Sequence, residues 1–157
     1  MAARNSVATK DDRTLVITQV FDAPLALVWE CWTQKEHLEK WSCPRGFTIP
    51  KSEGDLRIGG KWHVTMRTPE GHDLGLGGVY RDIVREKRLV MRHAWDDESG
   101  APGPETLVTV SFEAASSKTK VTLEQAGFDS VQSRDGHAGG WSETFDILAE
   151  HLAELTA

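Results

Sequence analysis

Three side chains of this sequence could donate, accept or transfer a proton inside the protein, namely Tyr80, His93 and His137. His93 alternates with the apolar Met91 and Trp95, and in a strand this spacing points all three side chains to one face. An imidazole titrates near neutral pH, so an inward His93 could orient a ligand carbonyl or hydroxyl, or act as an acid and base. A buried, hydrogen-bonded structural histidine is the plainer interpretation of the same pattern.

Tryptophan is the second notable residue type, because the chain contains six among 157 residues. Trp41, Trp62, Trp95 and Trp141 come from four separate segments and would line one pocket if those segments converge. Aromatic walls with a few polar groups are typical of sites for small molecules, although the same rings could simply fill a core. The candidate ligand-binding residues are Trp41, Trp62, Val64, Met66, Tyr80, Met91, His93, Trp95, Val110, Phe112, His137, Trp141 and Phe145.

Motifs for nucleophilic, metal or phosphate chemistry are missing from the sequence. It has no GxSxG elbow and no glycine-rich phosphate-binding signature. Cys31 and Cys43 lack CxxC spacing, which favours two reduced thiols. We interpret His37, His72 and His151 as surface residues, and they form no HExxH set. We therefore predict no catalytic residue, no metal ligand and no cofactor.

The elements that must position these side chains begin with a β-branched run, TLVITQVF, which predicts a strand over residues 14–21. A short amphipathic helix follows, and we assign its Trp29 and Trp32 to the core. The capping-box pattern of residues 33–36 predicts a second short helix that carries Trp41 inward.

The pattern of the rest of the chain predicts a meander of strands followed by one long helix. Alternation and turn residues between Phe47 and Gln125 predict six antiparallel strands. The acidic segment of residues 96–105 is predicted to be a mobile loop. Glycines in the strands are expected to mark bends or close approaches. Helical spacing of apolar residues up to Leu155 predicts a final helix that starts between Ser133 and His137.

Composition limits the classes of protein and partner. We expect a flexible lead-in over residues 1–13 and a single domain over residues 14–157. The formal charge of -6 opposes binding to the phosphates of nucleic acid. The sequence has no apolar run near the roughly 20 residues of a membrane-spanning helix and no apolar signal core, so we expect a cytoplasmic protein without a membrane partner.

A set of short sequences, in this order along the chain, carries a family resemblance. They are FDAPLALVWECWT, Trp41, the run from Asp55 to Trp62, Met66, Pro69-x-Gly71, Gly78-Val79-Tyr80, Arg88-Leu89, Trp95 and Gly140-Trp141. The chain resembles the START-like superfamily (SRPBCC, birch-pollen-allergen-like), and within it the chaperone ATPase activator homologue-like branch. The resemblance covers nearly the whole chain. It implies an α+β helix-grip fold, in which a curved antiparallel sheet, in the order β-α-α-β6-α, wraps a long C-terminal helix around an apolar cavity.

Three functions are compatible with this resemblance. The leading hypothesis is binding of a small hydrophobic or aromatic molecule, such as a lipid, isoprenoid or polyketide-like compound. The second is an enzyme, a cyclase, hydrolase or isomerase that uses the His and Tyr groups as acid and base. The third is a co-chaperone or stress-response module; the resemblance implies an additional N-terminal domain in the activators that name the branch, and we expect none here. We therefore favour a binding domain over an enzyme or a chaperone partner. A homodimer is compatible with the sequence.

Overall fold

A computed structural model of the chain describes residues 6–157. This part of the chain forms eight strands and three helices. The strands are β1 (Ser6–Asp11), β2 (Thr14–Phe21), β3 (Thr48–Gly54), β4 (Lys61–Arg67), β5 (Asp73–Val84), β6 (Arg88–Asp96), β7 (Pro102–Ala115) and β8 (Lys118–Ala126). The helices are α1 (Leu25–Thr33), α2 (Lys35–Trp41) and α3 (Val131–Leu155).

All eight strands belong to one antiparallel sheet with the order β1-β2-β8-β7-β6-β5-β4-β3. The helices α1 and α2 carry the chain from β2 to β3, which lies at the opposite edge of the sheet. Strands β3 to β8 then return as a meander, and β8 pairs with β2. Helix α3 packs on β2 and against α2. This architecture confirms the predicted α+β helix-grip fold and its six-strand meander.

The packed core lies where α3 covers the strands β2 and β8. Leu15 and Ile17 of β2 are completely buried there, as are Leu123 of β8 and Phe145 and Leu148 of α3. Burying each such side chain contributes about 1.5–3 kcal/mol relative to leaving it in water. This end of the molecule therefore supplies much of the stability of the fold.

The first strand corrects the expectation of a flexible lead-in over residues 1–13. Residues 6–11 form β1, which pairs with β2 at the edge of the sheet. The Asp11 carboxylate accepts a hydrogen bond of 2.8 Å from the Arg13 backbone N–H and so stabilises the tight turn between the two strands. All six residues of β1 are exposed, which explains why the segment lacks apolar periodicity. Residues 1–5 lie outside the described residues.

Two further boundaries differ from the sequence-based prediction. The acidic loop is shorter than expected, because only residues 97–101 separate β6 from β7 and the Asp97 carboxylate closes the turn by accepting from the N–H groups of Ser99 and Ala101. Helix α3 starts at Val131 rather than between Ser133 and His137. Ser130 caps it, since its side chain accepts a hydrogen bond from the Ser133 N–H.

The predicted capping box before α2 is also wrong. The N-cap of α2 is Gln34, which makes no side-chain capping hydrogen bond. Thr33 instead ends α1, and its hydroxyl donates to the Trp29 carbonyl oxygen at 2.8 Å. Only Gln34 separates the two helices. The Thr33 hydroxyl is already hydrogen-bonded within the last turn of α1 and is therefore not available to cap α2.

Gly78 allows β5 and β6 to approach each other closely. A Cβ atom at this position would lie 1.8 Å from the Arg92 carbonyl oxygen, so no larger residue fits the backbone as it stands. The register of the two strands shifts close by, between Tyr80 and Asp82. This glycine therefore marks a close approach next to a bulge, as strand glycines commonly do.

Candidate functional site

A cavity of about 570 Å³ lies between α2, the strands β3 to β6 and the first half of α3. Most of the predicted ligand-binding residues line it, namely Trp41, Trp62, Val64, Met66, Tyr80, Met91, His93, Trp95, His137 and Trp141. Its volume falls within the range of roughly 300–1,000 Å³ that is typical of small-molecule sites. The converging aromatic side chains therefore surround a space instead of filling it.

The three remaining predicted residues, Val110, Phe112 and Phe145, belong to the packed core and do not line the cavity. The Phe112 ring packs edge-on against Trp29, with 5.2 Å between ring centroids. The Phe145 ring lies 5.7 Å from the ring of Phe21. These side chains point to the predicted face of the sheet or helix, but they lie at the end that α1 covers. The sequence thus indicates which face of the strand or helix these side chains occupy, but not how far along the element they lie.

The cavity also has a wall that the sequence-based prediction missed. It includes Trp32, for which the sequence predicts mainly a core position, and residues of α2, of the segment that follows it and of the neighbouring strands. The main apolar members are Trp32, Leu38, Phe47, Ile49, Leu74, Leu76 and Val108. A signal for part of this wall exists in the sequence, because Leu74 and Leu76 share the alternation of Tyr80 along β5.

Helix α3 leaves room for the cavity because its first half is rich in glycine. Gly136 and Gly140 line the cavity, and a Cβ atom built on either would meet nothing within 4 Å. In its second half, Phe145, Leu148 and Leu152 project into the packed core instead. The change from glycine to large apolar residues along one helix thus separates the hollow part of the interior from the solid part.

His93 lies at the centre of an aromatic cluster in the cavity wall. The centroid of its ring is 5.9 Å from Trp62, 6.0 Å from Trp95, 6.1 Å from His137 and 6.4 Å from Trp141. The side chain is buried, in agreement with its predicted inward orientation. Burial, together with the neighbouring His137, lowers the pKa of His93 to about 4. The imidazole is therefore uncharged at neutral pH.

His137 uses both ring nitrogens in hydrogen bonds within the protein. Its Nδ1 donates to the Ser133 carbonyl oxygen at 2.7 Å, and its Nε2 accepts from the Trp95 indole N–H at 2.9 Å. This pattern corresponds to the neutral tautomer with the proton on Nδ1. Proton transfer by His137 would require one of these two bonds to break.

A chain of hydrogen bonds holds the Trp141 ring in place at the base of the cavity. Its indole N–H donates to the Gln125 side-chain oxygen at 2.7 Å. The Gln125 amide then donates to the Thr106 hydroxyl at 2.9 Å, and that hydroxyl donates to the His93 carbonyl oxygen at 3.2 Å. A buried chain of hydrogen bonds in which each group is paired holds its members rigidly. The chain therefore fixes the Trp141 ring of α3 against the sheet.

Charged groups occur only where the cavity meets solvent. Lys35 and Glu53 are exposed lining residues, and half-buried Glu39 accepts a hydrogen bond of 3.1 Å from the Ser52 hydroxyl. Exposed Leu56 lines the same opening. Inside, burial raises the pKa of Tyr80, so its phenol stays protonated at neutral pH. The interior surface is thus apolar, with a few neutral polar groups.

A second depression, between the β5–β6 turn and β7, is a poorer candidate for a binding site. It is wide open to solvent, and the side chains of Arg85, Glu86, Lys87 and Glu113 contribute to its lining. Such a surface offers a ligand little apolar area to bury. The enclosed cavity is therefore the candidate site.

Histidine and cysteine side chains outside the cavity only partly match the expectation from sequence. His72 is exposed as predicted, whereas His37 and His151 are half-buried and their rings are in contact. Both cysteines are free and buried, and burial raises the pKa of Cys31 to about 12 and that of Cys43 above its usual value. The expectation of a surface position is thus wrong for His37 and His151, which are half-buried.

Comparison with known proteins identifies the family. The model of the family described as Activator of Hsp90 ATPase homolog 1-like protein matches residues 22–153. The chain belongs to this family. Among curated proteins, none matches the chain. Within residues 6–157, no helix is long and apolar enough to cross a membrane.

Solved structures of bacterial proteins share the fold of this family member. A protein of Nitrosomonas europaea is 27% identical, with a TM-score of 0.77, and the match covers 92% of this chain and 96% of that protein. A protein of Arthrobacter aurescens is also 27% identical, with a TM-score of 0.83 and coverage of 95% and 91%. The AHSA1 protein of Silicibacter pomeroyi, at 21% identity, a TM-score of 0.82 and coverage of 89% and 97%, is similar in fold.

Proposed function

We propose that the protein binds one small, uncharged, apolar or aromatic molecule in the cavity between α2, the sheet and the first half of α3. The observation that supports this proposal is a space of about 570 Å³ whose walls are mainly indole rings and aliphatic side chains. Sites for small molecules generally combine apolar walls with a few convergent polar groups. Lipid, isoprenoid and polyketide-like compounds have the matching chemistry.

The charge state of the walls favours a neutral ligand. His93 and Tyr80 are uncharged at neutral pH for the reasons given above, and the Nε2 atom of His137 accepts a hydrogen bond, which requires a nitrogen without a proton. Placing an ionised group among them would remove it from water without a charged partner, which is strongly unfavourable. A ligand with one ionised end would have to keep that end at the opening, near Lys35.

Burial of apolar ligand surface provides the driving force for binding. About 200 Å² removed from water contributes about 5 kcal/mol, part of which is lost to the cost of association. The hydrogen bonds that fix Trp95 and Trp141 reduce the side-chain ordering that binding would otherwise require. We therefore expect micromolar affinity for a ligand that fills the cavity.

The binding proposal is tested with the neutral fluorophore N-phenyl-1-naphthylamine. Wild-type protein should bind it saturably, with increased emission. Gly140→Leu places a branched side chain into the open space of the cavity and should weaken binding at least about tenfold, because the apolar volume is filled. Gly139→Leu is the matched control, since the neighbouring glycine is exposed and does not line the cavity. Equal binding by the two variants, or no saturable binding by the wild type, would refute the proposal.

Enzymatic activity in the same cavity would depend on Tyr80 and His93, because both nitrogens of His137 are already bonded. The co-chaperone alternative is supported only by the description of the family, which names activation of the Hsp90 ATPase. It is tested by measuring the ATPase rate of Hsp90 with wild-type protein and with Gly140→Leu. Equal stimulation by both proteins would favour a surface contact that does not involve the cavity.

We also propose a cytoplasmic location. The two cysteines are free and buried, and neither forms a disulfide within the described residues. Reduced thiols of this kind are typical of compartments kept reducing by the cell. Fractionation of cells that produce the protein tests this proposal, and recovery outside the cytoplasm would contradict it.

A further inference from the structure

One histidine–cysteine cluster lies outside the cavity and plays no part in the proposed binding of an apolar molecule. It consists of Cys31 of α1, His37 of α2 and His151 of α3. The Cys31 Sγ atom and one ring nitrogen of each histidine all lie within 4.8 Å of one another. The His37 Nδ1 and His151 Nε2 atoms are 2.9 Å apart. His151 lies 114 positions after His37 in the chain, and the packing of α3 against α2 brings its ring nitrogen to the other two metal-ligating atoms.

We propose that Cys31, His37 and His151 bind one Zn²⁺ ion, with a water molecule in the fourth position. In zinc sites the metal lies about 2.3 Å from sulfur and about 2.0–2.1 Å from nitrogen, so ligand atoms in a tetrahedron are about 3.3–3.7 Å apart. The two ring nitrogens, at 2.9 Å, are closer together than this, and all three ligand atoms lie within 4.8 Å of one another. Binding would therefore replace the hydrogen bond between the rings and draw all three atoms to the spacing of a tetrahedral site.

The chemistry of the three donors selects the metal. One thiolate and two imidazoles form a borderline-soft set that suits Zn²⁺ and disfavours Mg²⁺ and Ca²⁺, which prefer oxygen ligands. On binding, the Cys31 thiol releases its proton to solvent, and both histidines bind as neutral rings. The negative charges of Glu30 near Cys31 and of Glu154 near His151 favour a cation at this place, and Lys40 opposes it.

The surroundings of the cluster allow a cation to enter and hold the ligands in place. Cys31 is completely buried, whereas His37 and His151 are half-buried, so the ion would reach the sulfur from the side of the two rings. The Trp41 indole N–H donates to the Cys31 carbonyl oxygen at 2.8 Å and fixes the end of α1 against α2. A bound ion would link all three helices, including α2, which forms one wall of the cavity.

The test uses the protein without a histidine tag, after treatment with a chelator. Competition with a chromophoric zinc chelator should show one high-affinity Zn²⁺ per chain. Co²⁺ should produce the near-ultraviolet absorption of a thiolate–cobalt bond and the visible bands of a tetrahedral site. Cys31→Ser should abolish the thiolate band, and His37→Gln and His151→Gln should each weaken Zn²⁺ binding at least about tenfold.

Cys43→Ser and His72→Gln are the matched controls, because Cys43 is the second buried thiol and His72 is an exposed histidine outside the cluster. Both should bind Zn²⁺ as the wild type does. The two histidine variants keep the test decisive if Cys31→Ser fails to fold, since the half-buried rings can be replaced with less disturbance. Absence of saturable one-to-one binding, or binding unchanged in His37→Gln and His151→Gln, would overturn the proposal.

Discussion

The surroundings of His93 determine its protonation state. The ring is packed among three indoles and His137. Of these neighbours only His137 is titratable, and both of its ring nitrogens already take part in hydrogen bonds. No acidic partner contacts the ring to compensate a positive charge, among the contacts of the described residues. A proton on His93 would therefore be both poorly solvated and close to another imidazole. The residue is best understood as a neutral, polarisable part of an apolar wall.

This environment predicts a pH dependence of stability. In the unfolded chain His93 takes up a proton as the pH falls below 6.5, whereas in the folded protein it does so only near pH 4. The unfolded state thus binds more protons in this window, so stability is complete above about pH 6.5 and declines towards pH 4. The share of His93 in this loss should be about 3 kcal/mol. Urea unfolding at a series of pH values measures it.

His93→Gln should remove that share of the pH dependence, because its amide does not titrate. His72→Gln, which replaces an exposed histidine, should keep the wild-type slope. If the unfolding free energy of His93→Gln falls with pH as steeply as that of the wild type, burial of His93 does not control acid stability.

At the scale of elements, glycine has opposite roles in α3 and in the sheet. Gly139 lies in the interior of a helix, is exposed and has open space where a Cβ atom would stand. Gly78 lies in β5, where the same atom would collide with the backbone of β6. A glycine in an open helix position lowers helix stability, whereas one at a close strand approach is required by the packing.

The same substitution at these two positions should therefore change stability in opposite directions. Gly139→Ala should raise the unfolding free energy by up to about 1 kcal/mol, because alanine is the better helix former. Gly78→Ala should lower it by about 1–3 kcal/mol, because the strands must separate to admit a methyl group. Thermal and urea unfolding of both variants checks this. A stabilised Gly78→Ala protein would show that the close approach is not a structural requirement.

Most helices and strands could be predicted from the sequence, and the site residues that were predicted wrongly have a physical explanation. Alternation along β4 and β6 placed Trp62, Met91 and His93 on the correct face, because the period of a strand determines which face a side chain occupies. Alternation carries no information about position along the strand. The sequence therefore does not distinguish Phe112 from the cavity residues, although Phe112 belongs to the packed core that α1 covers.

At the scale of the whole molecule, the interior is divided between a packed end and a hollow end. Leu148 and Phe145 fill the space between α3 and the sheet at one end, whereas Gly136 and Gly140 leave it open at the other. The sequence indicated an apolar interior, but it could not indicate how α2 closes the hollow end. It also could not indicate the contact between His37 and His151, which depends on how α2 and α3 pack against each other.

This division predicts how local stability is distributed. Backbone amides of β2 and β8, next to the packed core, should exchange hydrogen most slowly, since opening them exposes completely buried side chains. Amides of β3, β4 and the first half of α3 should exchange faster, because they border an unfilled space.

Saturation with N-phenyl-1-naphthylamine should slow exchange in this second group and leave the first unchanged. The reason is that a bound ligand opposes only those local opening motions of the protein that would release it. Hydrogen-exchange mass spectrometry measures both effects, and Gly140→Leu should show slow exchange around the cavity without the fluorophore and no further change on adding it. Uniform slowing across all strands would contradict a ligand confined to the hollow end.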